Sequence, residues 1–254
     1  MPGLAWSRLD WLTARPIAHR GLHDAAAGVI ENTGTAFAAA VTGGYGIETD
    51  VQISADGEAM VHHDDRLGRL TEGSSRLADM AAAEIKVVRF KATADRILTL
   101  RELCDLVGGR STLVIELKSQ FDGDRRLTQR VADVLADYAG PAAVMSFDPA
   151  MVEAIRQIAP RLTRGIVSER HYSHYEWDPL PLAQKRSMAF FLHAARTQPQ
   201  FIAYSIRDLP AVAPLIARKI FGLPLLTWTV RNDDDRRRAK AWADQIIFEG
   251  FRPP

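Results

Sequence analysis

The chain alternates short apolar runs with longer amphipathic stretches. Eight runs read as strands: RPIAH, YGIETDV, TLVIELK, AAVMSF, LTRGIVS, QFIAYS, PLLTWTV and DQIIFEG. Several are apolar at consecutive positions, the pattern of parallel strands buried on both faces. Between them the spacing turns helical. NTGTAFAAAVTGG opens on a capping candidate, Asn32 or Thr33, and closes on Gly43 and Gly44. DGDRRLTQRVADVLADYAG sets Leu127, Val131, Val134 and Leu135 on one face. In DPAMVEAIRQIAP, Asp148 is placed to cap and Pro149 to take the first helical position. DDDRRRAKAWA starts acidic and turns basic, as the helix dipole favours, and reads as a solvated helix.

Eight strands with helices between them, in 254 residues, predict a (β/α)8 TIM barrel; a doubly wound open sheet is the structural alternative. One interruption stands out. After the second strand, SADGEAMVHHDD reads as a hairpin that turns at Asp56-Gly57 and returns through 58–61. Residues 65–98 are then polar until TLRELCDLVGG resumes the alternation. That excursion has too little apolar material for a core of its own, so it is expected to be a small insertion on a single domain spanning 1–254.

Composition narrows the function classes. The chain is 47% hydrophobic and 25% charged, ordinary for a globular protein. With 32 basic and 31 acidic residues, nothing favours nucleic acid or an anionic membrane as a partner. A single cysteine, Cys104, excludes an internal disulfide. No apolar run approaches a membrane span, and the N-terminal MPGLAWSRLDWLTARP lacks the uninterrupted core of a signal peptide, so the expected location is the cytoplasm. G-x-S-x-G, P-loop and dinucleotide glycine motifs are missing. The oligomeric state is not legible.

The chemistry gathers at strand ends. His19 and Arg20 close the first strand. Glu48 and Asp50, two apart on the second, point to one side. His62, His63 and Asp64 end the hairpin. Glu116 and Lys118 are two apart on the third strand. Singly, each pattern has a plain structural explanation. Together they occupy equivalent ends of successive strands, and the apolar flanks of TLVIELK leave its charges no route to solvent. Converging carboxylates repel, and a hard divalent cation, Mg²⁺, Ca²⁺ or Mn²⁺, resolves the conflict. Arginine and lysine remain to clamp an anion, and two imidazoles to move protons. That set describes metal-assisted phosphoester cleavage.

These residues resemble the glycerophosphodiester phosphodiesterases. The resemblance runs through HRG (19–21), ENT (31–33), GIETDVQISADGEAMVHHDDRLGRLT (46–71), ILTLRELC and LVIELKS, and then VMSFD, LLTWTV and DQIIFEG. It implies a TIM barrel with a small insertion after the second strand. It also implies cation-dependent hydrolysis of a small-molecule glycerophosphodiester to glycerol 3-phosphate and an alcohol. By motif, Glu48, Asp50 and Glu116 would hold the metal. His19 and His63 would be the acid/base pair, and Arg20 and Lys118 would bind phosphate. Glu31 would hold Arg20 or assist at the metal. His63 is preferred to His62 because HD-x-x-L-x-R-x-T aligns on His63, Asp64, Leu67, Arg69 and Thr71. Two departures are visible. Phe248-Glu249 replaces the usual closing Thr-Asp, and Leu98 the usual Pro; both are expected to alter the pocket rim alone. Lysophospholipase D-like or sphingomyelinase D-like cleavage on the same barrel is the alternative, and a non-catalytic phosphate-binding relative another.

Three further positions are candidates for the substrate rim. His171 and Tyr172 lie in ERHYSHYEWD after the fifth strand, where His171 and His174 also raise, and for want of a third ligand argue against, a second metal. Trp228 on the seventh strand packs against either substrate or core. His23 and His193 read as structural or surface residues, and Cys104 as core.

Overall fold

The computed structural model describes residues 9–174 and 177–254. The first residues of the N-terminal stretch, and Tyr175 and Glu176 of the aromatic loop, lie outside the described residues.

Eight strands close into a parallel barrel: β1 (Ile17–Ala18), β2 (Gly46–Ile53), β4 (Leu113–Leu117), β5 (Ala142–Ser146), β6 (Thr163–Ser168), β7 (Phe201–Ser205), β8 (Leu225–Val230) and β9 (Gln245–Phe248). All eight expected runs are there, and pairing of β1 with both β2 and β9 closes the ring, which rules out the open sheet. The ninth strand, β3 (Ala59–Val61), is the return arm of the expected hairpin and pairs antiparallel with β2.

Alternation along the strands sorts side chains into two shells. Ile47, Val51, Leu113, Ile115, Ile202 and Tyr204 face outward and pack under the helices. Ile17, Val114, Ala143, Met145, Val167, Phe201, Ala203, Leu226 and Ile247 fill the barrel interior. Phe201 needs the space that Gly165 leaves, since a Cβ there would overlap its ring. Leu12 of α1 (Asp10–Thr13) plugs the N-terminal end of this interior, with Gln245 Nε2 donating to the Thr13 carbonyl at 2.8 Å. The bottom is therefore dry and sealed, and the polar inward positions collect at the C-terminal end.

The helices follow their local signals. Thr33, not Asn32, caps α2 (Gly34–Thr42); Asn32 adopts φ 56° and sends its side chain into the barrel mouth. Asp148 and Pro149 open α6 (Pro149–Ile158), and Asn232 caps α10 (Asp233–Trp242). Cys104 is buried in α4 (Leu100–Val107), where burial pushes its thiol up to about 11. The inserted segment encloses a small cluster of Leu67, Leu77, Ile85, Phe90 and Ile97, completed by Met60 and Ile30. Too few to enclose a core alone, its apolar residues close one against β3. Among the described residues no helix is long and apolar enough to cross a membrane.

Candidate active site

The HRG turn sets the geometry. Gly21 has φ 80°, and a Cβ there would lie 2.9 Å from the Ala36 backbone. Only glycine lets the chain double back against α2. Arg20 before it has φ 55°, which aims its backbone N–H at Glu48 Oε2, 3.0 Å away.

Glu48, Asp50 and Glu116 are buried, and their ligand oxygens lie within 4.8 Å of one another. Burial first, and then the neighbouring charges of Asp50 and Glu116, pushes the Glu48 carboxyl well above the usual range. Burial would raise Asp50 as well, but Lys118, His63 and Arg20 hold it well below. Lys118 Nζ sits 2.9 Å from Asp50 Oδ1 and 2.8 Å from Glu116 Oε1. Three crowded carboxylate oxygens, one forced toward protonation, are the donor set that a hard divalent cation fits.

Arg20 works within a chain of charges. Its Nη1 donates to Glu31 Oε1 at 2.7 Å, and its Nε lies 3.3 Å from Asp50 Oδ2. Arg69 also grips Glu31, 2.6 Å from Nη2 to Oε1, and donates from Nε to Asp64 Oδ2 at 2.7 Å. Burial opposes the charge on Glu31, yet the two arginines hold its carboxyl at about 2. Of the two expected roles for Glu31, the structure places it on Arg20. Asn32 Nδ2 donates to Asp50 Oδ2 at 2.9 Å and its Oδ1 accepts from Thr49 Oγ1 at 2.8 Å, so ENT supplies two residues to the mouth.

Each imidazole leans on a carboxylate. His63 Nδ1 is 2.8 Å from Asp64 Oδ1. His62 is buried instead, with Nδ1 against the Asp64 carbonyl at 3.0 Å. His19 Nδ1 is 2.5 Å from Glu249 Oε2, and His19 Nε2 faces Glu48 at 3.9 Å. Burial pushes His19 down to about 4; the bond to Glu249 opposes this, and the Arg20 charge adds to it. The expectation that Glu249 touches the rim alone is corrected here. Ala18 and Phe248 are paired across β1 and β9, so the next residues, His19 and Glu249, are inward neighbours. His19, His23 and Glu249 bring three ligand atoms within 4.8 Å.

The other side of the mouth is aromatic. Phe147 meets Trp177 in a tilted contact at 4.8 Å and Trp228 edge-on at 5.6 Å. Tyr172 is buried, its hydroxyl 3.0 Å from Ser168 Oγ and its ring 5.1 Å from Trp177. It belongs to the loop's own core rather than the rim, because its one polar atom is already satisfied from within. His171 is exposed, and among the described residues neither it nor His174 joins a cluster of three ligand atoms. His193 is buried.

Comparison with known proteins agrees with this geometry. The model of the glycerophosphoryl diester phosphodiesterase family matches residues 19–250. A glycerophosphodiester phosphodiesterase of Caldanaerobacter subterraneus is 30% identical over 244 residues, covering 92% of this chain and 93% of that protein. An Oleispira antarctica phosphodiesterase, solved with the product sn-glycerol-3-phosphate, superposes with a TM-score of 0.76 at 20% identity and 95% coverage of both chains. A Thermotoga maritima glycerophosphodiester phosphodiesterase gives 0.68 at 22% identity, covering 91% of this chain and 92% of that one. With its motifs gathered at one barrel mouth and a family match from the first histidine to the last strand, this chain belongs to the glycerophosphoryl diester phosphodiesterase family, whose members are phosphoric diester hydrolases.

Proposed function

We propose that this protein cleaves glycerophosphodiesters to glycerol 3-phosphate and an alcohol. In this reading Glu48, Asp50 and Glu116 hold Mg²⁺, Ca²⁺ or Mn²⁺, and His19 and His63 move the two protons. The observation that carries it is the buried acid triad flanked by two imidazoles, each backed by a carboxylate. A bound cation supplies positive charge against the phosphoryl oxygens. Arg20, locked by Glu31, presents its guanidinium to the same oxygens. Lys118 gives two of its three ammonium hydrogens to Asp50 and Glu116 and keeps one for the phosphate. One histidine takes a proton from the attacking water or from a neighbouring substrate hydroxyl. The other delivers a proton to the leaving oxygen. The complex of the Oleispira antarctica enzyme with sn-glycerol-3-phosphate supports the expected product.

The aromatic side of the mouth favours a second reading, in which the substrate carries an apolar chain on the glycerol part that keeps the phosphate and the polar headgroup alcohol departs, as in lysophospholipase D-like cleavage. Both are tested in one experiment. Glycerophosphocholine, glycerophosphoethanolamine, lysophosphatidylcholine and bis(p-nitrophenyl) phosphate are assayed across a panel of Mg²⁺, Ca²⁺ and Mn²⁺. The proposal expects glycerol 3-phosphate release from the first two and none in excess chelator. Turnover that survives chelation overturns the cation role, and a preference for the lysolipid moves the assignment to the second reading.

A further inference from the structure

We infer that Glu249, braced by Arg231, is a positioning residue that holds His19 in the tautomer whose free nitrogen, Nε2, faces the reaction. This rests on the reading of His19 as a proton carrier and adds to it the group that makes that role possible.

The brace is fixed by backbone on both sides. His19 N–H donates to the Phe248 carbonyl at 2.9 Å, and Glu249 N–H to the Val230 carbonyl at 3.1 Å. The His19 and Glu249 side chains therefore leave adjacent strands at matched height. Both carboxylate oxygens are engaged: Oε2 accepts from His19 Nδ1 at 2.5 Å, and Oε1 from Arg231 Nε at 2.5 Å. An ionised carboxylate only accepts, so the shared proton sits on Nδ1, and Nε2 is left bare toward Glu48. His63, Asp64 and Arg69 repeat the arrangement across the mouth, so each proton carrier has a carboxylate and each carboxylate an arginine. His23 Nε2 lies 3.8 Å from Glu249 Oε2. A cation seated among His19, His23 and Glu249 would need the Nδ1 lone pair that this proton occupies.

The test compares Glu249→Gln, Glu249→Asp, His19→Ala and the double variant His19→Ala/Glu249→Gln. The amide of Gln matches the carboxylate in size but can donate as well as accept, so it no longer dictates the tautomer. Glu249→Gln is expected to lower kcat about 10²- to 10⁴-fold, as tautomer loss does in hydrolytic triads, with KM and the half-saturating cation concentration changed less than about threefold. Glu249→Asp, a shorter carboxylate, recovers part of the loss. The double variant is no slower than His19→Ala, because a positioning residue has nothing left to position. Nitrogen NMR of the His19 ring shows the Nδ1–H form in the wild type and a mixture in Glu249→Gln. The inference is overturned if Glu249→Gln keeps kcat within about threefold of wild type beside an inactive His19→Ala. A further multiplicative loss in the double variant, or a second bound cation that Glu249→Gln abolishes, also overturns it. Full turnover in His19→Ala overturns the proton-carrier reading itself, and is thereby distinguished from failure of the brace.

Discussion

The barrel mouth has two unlike sides. Around β1, β2, β4 and β9, inward positions are charged and joined by ion pairs that run from His63 through Asp64, Arg69, Glu31 and Arg20 to Asp50. Around β5, β8 and the loop after β6 lie rings packed edge to face or tilted, including Phe147, Trp177, Tyr172 and Trp228. The rings pack against one another without like charges in opposition, although the buried Trp228 Nε1 has no hydrogen-bond partner. The charged side does hold such opposition, because burial first, and then the charges of Asp50 and Glu116, drive Glu48 toward protonation. One side is built for stability. The other holds a conflict that a ligand can relieve, which is how binding energy is stored in a fold.

The contrast breaks most sharply at the two proposed proton carriers. His19→Ala and His63→Ala are each expected to lower kcat about 10²- to 10⁴-fold at saturating cation, with the melting temperature little changed. Activity beside an intact thermal transition would show that the charged side is not where the chemistry lies. On the aromatic side the balance reverses. Trp177, 9% exposed, touches three other rings, and Trp177→Ala is expected to cost about 3–5 kcal/mol of stability in a denaturant titration, with the cation requirement unchanged.

A buried histidine outside both sides gives a pH test of stability alone. His193 lies 3.3 Å from Thr197 Oγ1, and burial, aided by Arg196, lowers it from 6.5 to about 4. The unfolded chain takes up this proton near pH 6.5 and the fold only near pH 4. Within that window the unfolded state binds more protons, so stability rises with pH and drains away as pH falls, by about 3 kcal/mol in all. His193→Gln is expected to flatten this part of the stability–pH curve; an unchanged slope would refute it. The smallest effect bears on the stored conflict. Glu48→Gln should raise the half-saturating cation concentration about 10- to 100-fold, while slightly raising the melting temperature of chelator-treated protein. A fall in that temperature would mean that the triad is not under repulsion.

Much of this was legible in the letters because parallel strands announce themselves locally. TLVIELK shows both its burial and its paired inward charges, Glu116 and Lys118. The choice of His63 over His62 rests on motif and alternation, and His62 is the more buried of the two. Three features escaped for one reason: their partners are distant. Glu249 looks like a rim residue until β9 pairs with β1, 230 positions away along the chain. Asn32 looks like a helix cap until its φ of 56° turns it toward Asp50. The excursion at 65–98 looks coreless until Met60 of β3 and Ile30 complete its cluster. Local patterns encode which residues turn inward, but not which inward residues meet.

The β1–β9 seam also joins the first and last strands of the barrel beside the proposed site. Synthesis delivers β1 first and β9 last, and domains fold as their parts emerge. A nascent chain reaching only α10 already carries both proposed proton carriers, all three acids and the arginine clamp. It still has an open ring and an unbraced His19, because both await 245–249. The His19–Glu249 contact therefore forms only on ring closure, since β1 and β9 lead into its two halves. The seam thus ties the proposed site to closure of the ring, a dependence written into the order of the strands.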